Sequence, residues 1–383
     1  MTRSVRSCLA WSLALFIPAS VAFGAPDIGH IYDLKAHKDG VLVATDRGLF
    51  VAATGGEVTQ RTAREGGFVA LAADAAHPDR LYASAPAAPL MRSDDGGRHW
   101  QAVDTDAPGP FDILTAGPAG SGRLYGVADA VYASEDGGKH WIRKGALPDK
   151  LIDLSASATM ANRLYAGTMK GIQVSNDGGA RWEAAGLSVL PAPLVEAMAD
   201  GHLLSFEWGR GLQRARESGL GWTELNNRFG GQALLNLAKA DGGLIASTNA
   251  GKLFVSTDEG KRWQPLGGYP APNSTAAQHG EKLFAANCQA CHGDHGIGES
   301  PTPANTQRLA PALDETMHAW HHTDAQLENT ILEGLPAPSR MQGWADRLSE
   351  RDARDLIAYM KSLWDERALR CQGPKHMNPE CRR

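Results

Sequence analysis

The chain has 383 residues, 43% of them hydrophobic, and a formal net charge of −5. That length accommodates two domains with cores of their own, and no block of lysines or arginines marks a nucleic-acid or membrane-surface partner. Four of the five cysteines lie beyond residue 287, so thiol chemistry belongs to the last quarter of the chain.

At the N-terminus, Arg3 and Arg6 precede an apolar run over residues 9–21 that ends in the small residues around Gly24. This pattern predicts a secretory leader over 1–24, removed with Cys8. The run is shorter than the roughly 20 apolar residues a spanning helix needs, which disfavours a retained membrane anchor. A periplasmic location is expected.

Between residues 25 and 268 the chain repeats itself. Ser93-Asp95-Gly97-Trp100, Ser134-Asp136-Gly138-Trp141, Ser175-Asp177-Gly179-Trp182 and Ser256-Asp258-Gly260-Trp263 share one spacing, and their serines recur at intervals of 41, 41 and 81 residues. The long interval hides a decayed unit from Glu217 to Trp222, and another decayed unit precedes Ser93 at residues 52–56. Six units of about 40 residues, each with four short strands, predict a six-bladed β-propeller. The boxes resemble the BNR or Asp-box hairpin of sialidases, sortilin-like receptors and photosystem assembly factors. Within a box, serine and aspartate bond turn backbone, glycine supplies positive φ and tryptophan packs between blades. The boxes therefore predict architecture and leave function open.

Each box joins the third and fourth strands of its blade. The opposite end carries the irregular loops, and blade five, which has lost its box, gathers Glu207, Trp208, Arg210 and Arg228 there. That end is the expected docking face for a ligand or partner protein; ordinary solvated loops are the competing reading. The propeller histidines are scattered over different blade positions, which disfavours an intrinsic copper cluster. No sialidase-type set of convergent arginines is identifiable.

Residues 269–279 read as a linker rich in Pro, Ala and polar residues. After a short predicted helix over 277–287 comes Cys288-Gln289-Ala290-Cys291-His292. C-x-x-C-H is the attachment motif of a c-type haem, with two thiols for the vinyl groups and an imidazole for the iron. A structural zinc site would want a second ligand pair at metal spacing, and a thioredoxin-like motif would want a βαβ setting.

Downstream, Met341 follows a Pro-broken loop and precedes a helix capped by Ser349 with Asp352 at the third position, a capping box. Leu356, Ile357, Met360, Leu363 and Trp364 form its apolar stripe. The segment 280–366 resembles the class I c-type cytochrome domain, through its N-terminal helix, C-x-x-C-H-G, methionine loop and the run Tyr359 to Trp364. The resemblance implies one covalently bound haem c on Cys288 and Cys291, His292 as proximal ligand, Met341 as distal ligand and the Pro311 carbonyl behind the proximal imidazole. Gln342 stands where many relatives carry proline. Met317, His318, His321, His322 and Met360 compete for the distal position, and the histidines also raise copper binding. Cys371 and Cys381, in the tail 367–383, are read as a possible disulfide; a metal-binding tail with His376 and Met377 is second.

The chain is thus expected to be multidomain: an all-β six-bladed propeller followed by an all-α class I cytochrome domain. The leading function is electron transfer with a redox protein as donor or acceptor. The alternatives are a cytochrome-linked oxidoreductase with substrate on the propeller, and an assembly factor for a redox complex.

Overall fold

The computed structural model describes residues 27–186, 188–305 and 308–381, so the leader read at 1–24 lies outside the described residues. Six antiparallel sheets of four strands follow one another from Ile31 to Pro265. Each is a meander of one unbroken stretch of chain, innermost strand first; the first blade runs Ile31–His37, Gly40–Thr45, Gly48–Ala52 and Val58–Ala63.

The core is divided as the blades are. There is a separate apolar cluster at each of the six junctions. Leu42, Leu49, Phe68 and Leu71 fill the first, and Ile31, Val43, Ala238 and Ile245 fill the junction of the last blade with the first. The second strand of each blade lies between two neighbouring blades, which is why runs such as Gly40–Thr45 and Gly243–Thr248 are apolar without alternation. Polar side chains stitch the inner strands. Asp33 accepts from the Leu71 amide (2.8 Å), Asp153 from the Val195 amide (2.8 Å) and Ser155 from the Ala197 amide (3.0 Å).

The boxes close their hairpins as their composition predicts. Ser93 Oγ accepts from the Gly97 amide at 2.9 Å, Asp95 Oδ1 accepts from the Arg98 and His99 amides at 3.0 and 2.9 Å, and Trp100 Nε1 donates to the Gly97 carbonyl at 3.0 Å. Asp136 repeats the arrangement, and the His140 amide and ring hold its carboxyl well below the usual carboxylate range. In blade five, Glu217 stands two residues after Ala215, which takes the place of the box serine. Its carboxylate crosses to Ser157 and Tyr165 of blade four instead of closing its own turn.

The helical part begins earlier than the linker reading predicts. Ser274 caps a helix over Thr275–Asn287, accepting from the Ala277 amide, so residues 275–279 of the 269–279 segment are helical. Helices Asp324–Glu333 and Glu350–Ser362 follow, each with a complete capping box, at Thr323 with Gln326 and at Ser349 with Asp352. Phe284, Leu327, Ile331, Leu356, Ile357, Met360 and Trp364 form one core with Trp320. Cys371 and Cys381 are joined by a disulfide, 5.8 Å between Cα atoms, at the edge of that core. Among the described residues no helix is long and apolar enough to cross a membrane.

The helical domain rests on the loop end of blades five and six. The Gly230 amide donates to Ser300 Oγ at 2.8 Å, and Lys252 Nζ lies 3.0 Å from Asp314 and 2.9 Å from Glu315. Tyr269, where the propeller ends, stacks flat on His295 with ring centres 3.6 Å apart.

Candidate haem site

The helix Thr275–Asn287 delivers Cys288, whose amide still donates to the Phe284 carbonyl at 2.8 Å. One further turn, Gln289–His292, then brings Cys291 and His292 round, with the His292 amide on the Cys288 carbonyl at 2.9 Å. Gly293 at φ 73° ends that turn, and a side chain there would meet the Gly298 carbonyl oxygen at 2.5 Å, so the tight exit requires glycine.

Residues 296–299 and 310–313 then run side by side behind the imidazole. The Gly298 amide donates to the His292 carbonyl (2.7 Å), Glu299 to Ala310 (2.9 Å) and Leu313 to Gly296 (2.7 Å). Against this ladder His292 Nδ1 meets the Pro311 carbonyl at 2.9 Å, as donor to it, which leaves Nε2 as the nitrogen with a free lone pair. Burial lowers the His292 pKa, so the ring is neutral and able to ligate.

Cys288, Cys291, His292 and Met341 line one cavity of about 570 Å³. Phe284, Leu313, Leu327, Ile331, Leu356 and Met360 give it an apolar wall, with Arg308, Arg340, His318 and His322 at its polar edge. Both thiols are free; Cys291 is exposed, and burial, with Cys291 alongside, pushes the Cys288 thiol up to about 11. Met341 is half-buried, on a loop held by the Leu335 amide to its carbonyl (3.0 Å) and by Ser339 Oγ to its amide (3.1 Å). Two thiols, a neutral imidazole and a thioether around an apolar cavity of this size are a donor set that fits a haem.

Of the competing ligands, Met360 is buried in the core and also lines the cavity. His318 and His322 line the cavity's edge, whereas His321 stacks face to face on His376, 4.3 Å between ring centres. Among the described residues no group of three or more His, Cys, Asp or Glu is disposed to hold a metal ion.

The blade-five patch differs from its reading. Glu207 ends the strand His202–Glu207 and is buried, 3.8 Å from Arg210, because the loop folds the carboxylate inward; Trp208 is half-buried, and Arg210 and Arg228 are exposed. Beside this patch, Gly209 and Gly230 lie against Thr302 and Ile297 of the chain's own helical domain. Lys252, Ser300, Asp314 and Glu315 escaped the sequence reading, as did Arg308 and Arg340. The acidic pair three residues after Pro311 was the available signal.

Residues 275–360 match the family model for the cytochrome c oxidase, cbb3-type, subunit III. The C-terminal domain is a c-type cytochrome domain. Over 98 residues, 26% of this chain, it is 34% identical to the cbb3-type cytochrome c oxidase subunit FixP of Bradyrhizobium diazoefficiens, of whose length the chain covers 31%. The match thus reaches the cytochrome domain and leaves most of both proteins unaligned.

Among solved structures, the chain is similar to the GH74 enzyme of Niastella koreensis, with TM-score 0.45 and 19% identity over 61% of this chain and 37% of that one. It is also similar to YCF48 bound to D1 peptide, with TM-score 0.44 and 18% identity over 63% and 83% of the two chains. Neither score bears on what this propeller binds.

Proposed function

We propose that the protein is an exported monohaem c-type cytochrome that passes single electrons between protein partners, with the propeller as its docking platform. The observation that carries this reading is that both thiols of the C-x-x-C-H motif, His292 and Met341 line one apolar cavity, with His292 Nδ1 tied to Pro311. When bound, the haem supplies the ferrous/ferric couple.

The chain supplies the rest. Cys288 and Cys291 would tether the group, and His292 and Met341 would hold its iron. The Pro311 carbonyl fixes the imidazole tautomer and makes the ring a stronger donor. Phe284, Leu356 and Met360 keep water from the centre, and that dryness together with the thioether sets a high potential. Arg210 and Arg228, exposed beside the cytochrome's seat, are where a partner could touch propeller and haem domain together.

Expression in a host that matures c-type haem tests the reading. The expected product is coloured, keeps its haem through denaturation, and loses it when Cys288 and Cys291 become serine. A colourless wild-type chain sinks the proposal, and turnover of a small molecule with an artificial acceptor would replace it with a catalytic one.

A further inference from the structure

Two of the places where the propeller holds the cytochrome domain sit on, or just beyond, the two strands of the ladder behind His292. On one strand, Ser300 Oγ accepts from the Gly230 amide at 2.8 Å, and a methyl group on Gly230 would lie 2.0 Å from the Ile297 carbonyl oxygen, so the two backbones touch. On the other strand, Asp314 and Glu315 follow Pro311 by three and four residues and share Lys252 of blade six, at 3.0 and 2.9 Å. Between these anchors lie the bonds that position the imidazole: Gly298 to His292, Glu299 to Ala310, Leu313 to Gly296 and His292 to Pro311.

The lysine clamp is mostly out of water. Asp314 is buried, the side chains of Glu315 and Lys252 are 17% and 24% exposed, and one cation faces two carboxylates. Asp314 is also committed locally, its Oδ1 accepting from the Thr316 amide at 3.0 Å. Without the lysine, two adjacent carboxylates would be left unpaired in a low-dielectric seam, and the segment carrying Pro311 would have to move to hydrate them. That segment has little other freedom, since Trp364 Nε1 holds the Leu313 carbonyl at 2.8 Å. Its displacement would fall on the Pro311 side of the imidazole.

We propose that Lys252 is a positioning residue for the haem: by clamping Asp314 and Glu315 it holds the Pro311 carbonyl against His292 Nδ1, so that the propeller sets the strength of the proximal ligand. This rests on the electron-transfer reading and extends it, because it makes the propeller part of the redox centre as well as a platform. Whatever binds blade six near Lys252 would then be felt at the iron.

The experiment uses the full-length, haem-loaded chain carrying Lys252→Met, with Lys252→Arg as the conservative variant. Two quantities are read: the ferrous to ferric ratio at a fixed poise, and the solvent-exchange rate of the His292 Nδ1 proton by NMR. For Lys252→Met the ratio changes at least twofold and exchange accelerates about tenfold, while Lys252→Arg keeps both near wild type. The second measurement separates loosening of the hydrogen bond from the direct effect of deleting a charge. Should Lys252→Met not fold, Ser300→Ala, which loosens the other anchor, gives the same direction with smaller amplitude. Wild-type values of ratio and exchange in a coloured Lys252→Met chain overturn the inference, as does a ratio that moves without exchange. A colourless wild-type chain fails the electron-transfer reading instead, so the two failures are distinct.

Discussion

Gly280 lies so close to Asp355 that a methyl group on it would fall 1.9 Å from the Asp355 carbonyl oxygen. The helices Thr275–Asn287 and Glu350–Ser362 cross there backbone to backbone, and the crossing fixes where the first helix delivers Cys288. Gly280→Ala therefore forces the helices apart. Overpacking of this kind costs about 1–3 kcal/mol, and the expected outcome is a lower thermal midpoint for the cytochrome domain with a weaker Soret band. An unchanged midpoint would show that the crossing has slack.

Met341 is expected to set the potential. Met341→His replaces a thioether by an imidazole, which lowers the reduction potential; within the ~0.8 V that axial ligands command, a fall on the order of 0.1 V or more is expected. The sulfur-to-iron absorption band vanishes in the same variant. If the band survives, one of the other cavity side chains is the ligand, with Met360 the first to replace.

In a haem-free chain the two thiols of the motif should react at different rates. Cys291 is exposed, whereas Cys288 is half-buried and its thiol is pushed up to about 11, so little thiolate forms at neutral pH. Iodoacetamide at pH 7.5 is expected to modify Cys291 at least about tenfold faster, with the Cys288 rate still climbing above pH 10. Peptide mapping of the alkylated chain measures this, and equal rates would mean that the first helix frays without haem.

The propeller's inner wall should respond to pH. Asp153 is pushed up to about 6 and Glu196 to about 7, in both cases by burial first, although Lys35 opposes it. A carboxyl with a raised pKa keeps in the folded state a proton that the unfolded chain releases. Its favourable contribution is therefore present below about pH 4 and is lost as pH climbs towards 7. Glu196→Gln removes one such group and is expected to raise stability at pH 8 by about 2 kcal/mol, with little change at pH 4, as read from urea midpoints. Equal effects at both pH values would show that the wall is wet enough to leave Glu196 ordinary.

What could be read from the chain itself was whatever is decided within a few residues. The Ser-Asp-Gly-Trp spacing encodes a hairpin whose bonds are all internal to it, and Ser349 with Asp352 encodes a helix start, so both appear where the residues say. Cys288, Cys291 and His292 are likewise local, and Pro311 followed from the family resemblance. The seat of the cytochrome domain was not readable. Lys252 and Asp314 are 62 residues apart, and nothing in the turn chemistry of blade six reports what will lie above it. For a related reason the sequence groups Glu207 with the docking face, and only the packing of blade five shows its carboxylate turned inward.

Because every blade is a single continuous meander, no strand among the described residues is exchanged where the last blade meets the first. The ring is zipped there by Ile31, Val43, Ala238, Ile245 and their neighbours, with the Thr54 hydroxyl donating to the Asp241 carbonyl at 3.1 Å, and without a backbone ladder across the join among the described residues. Mechanical or thermal opening should begin at this seam, and a circular permutant cut between two other blades would trade one such seam for a peptide-bridged one at little cost to the wheel.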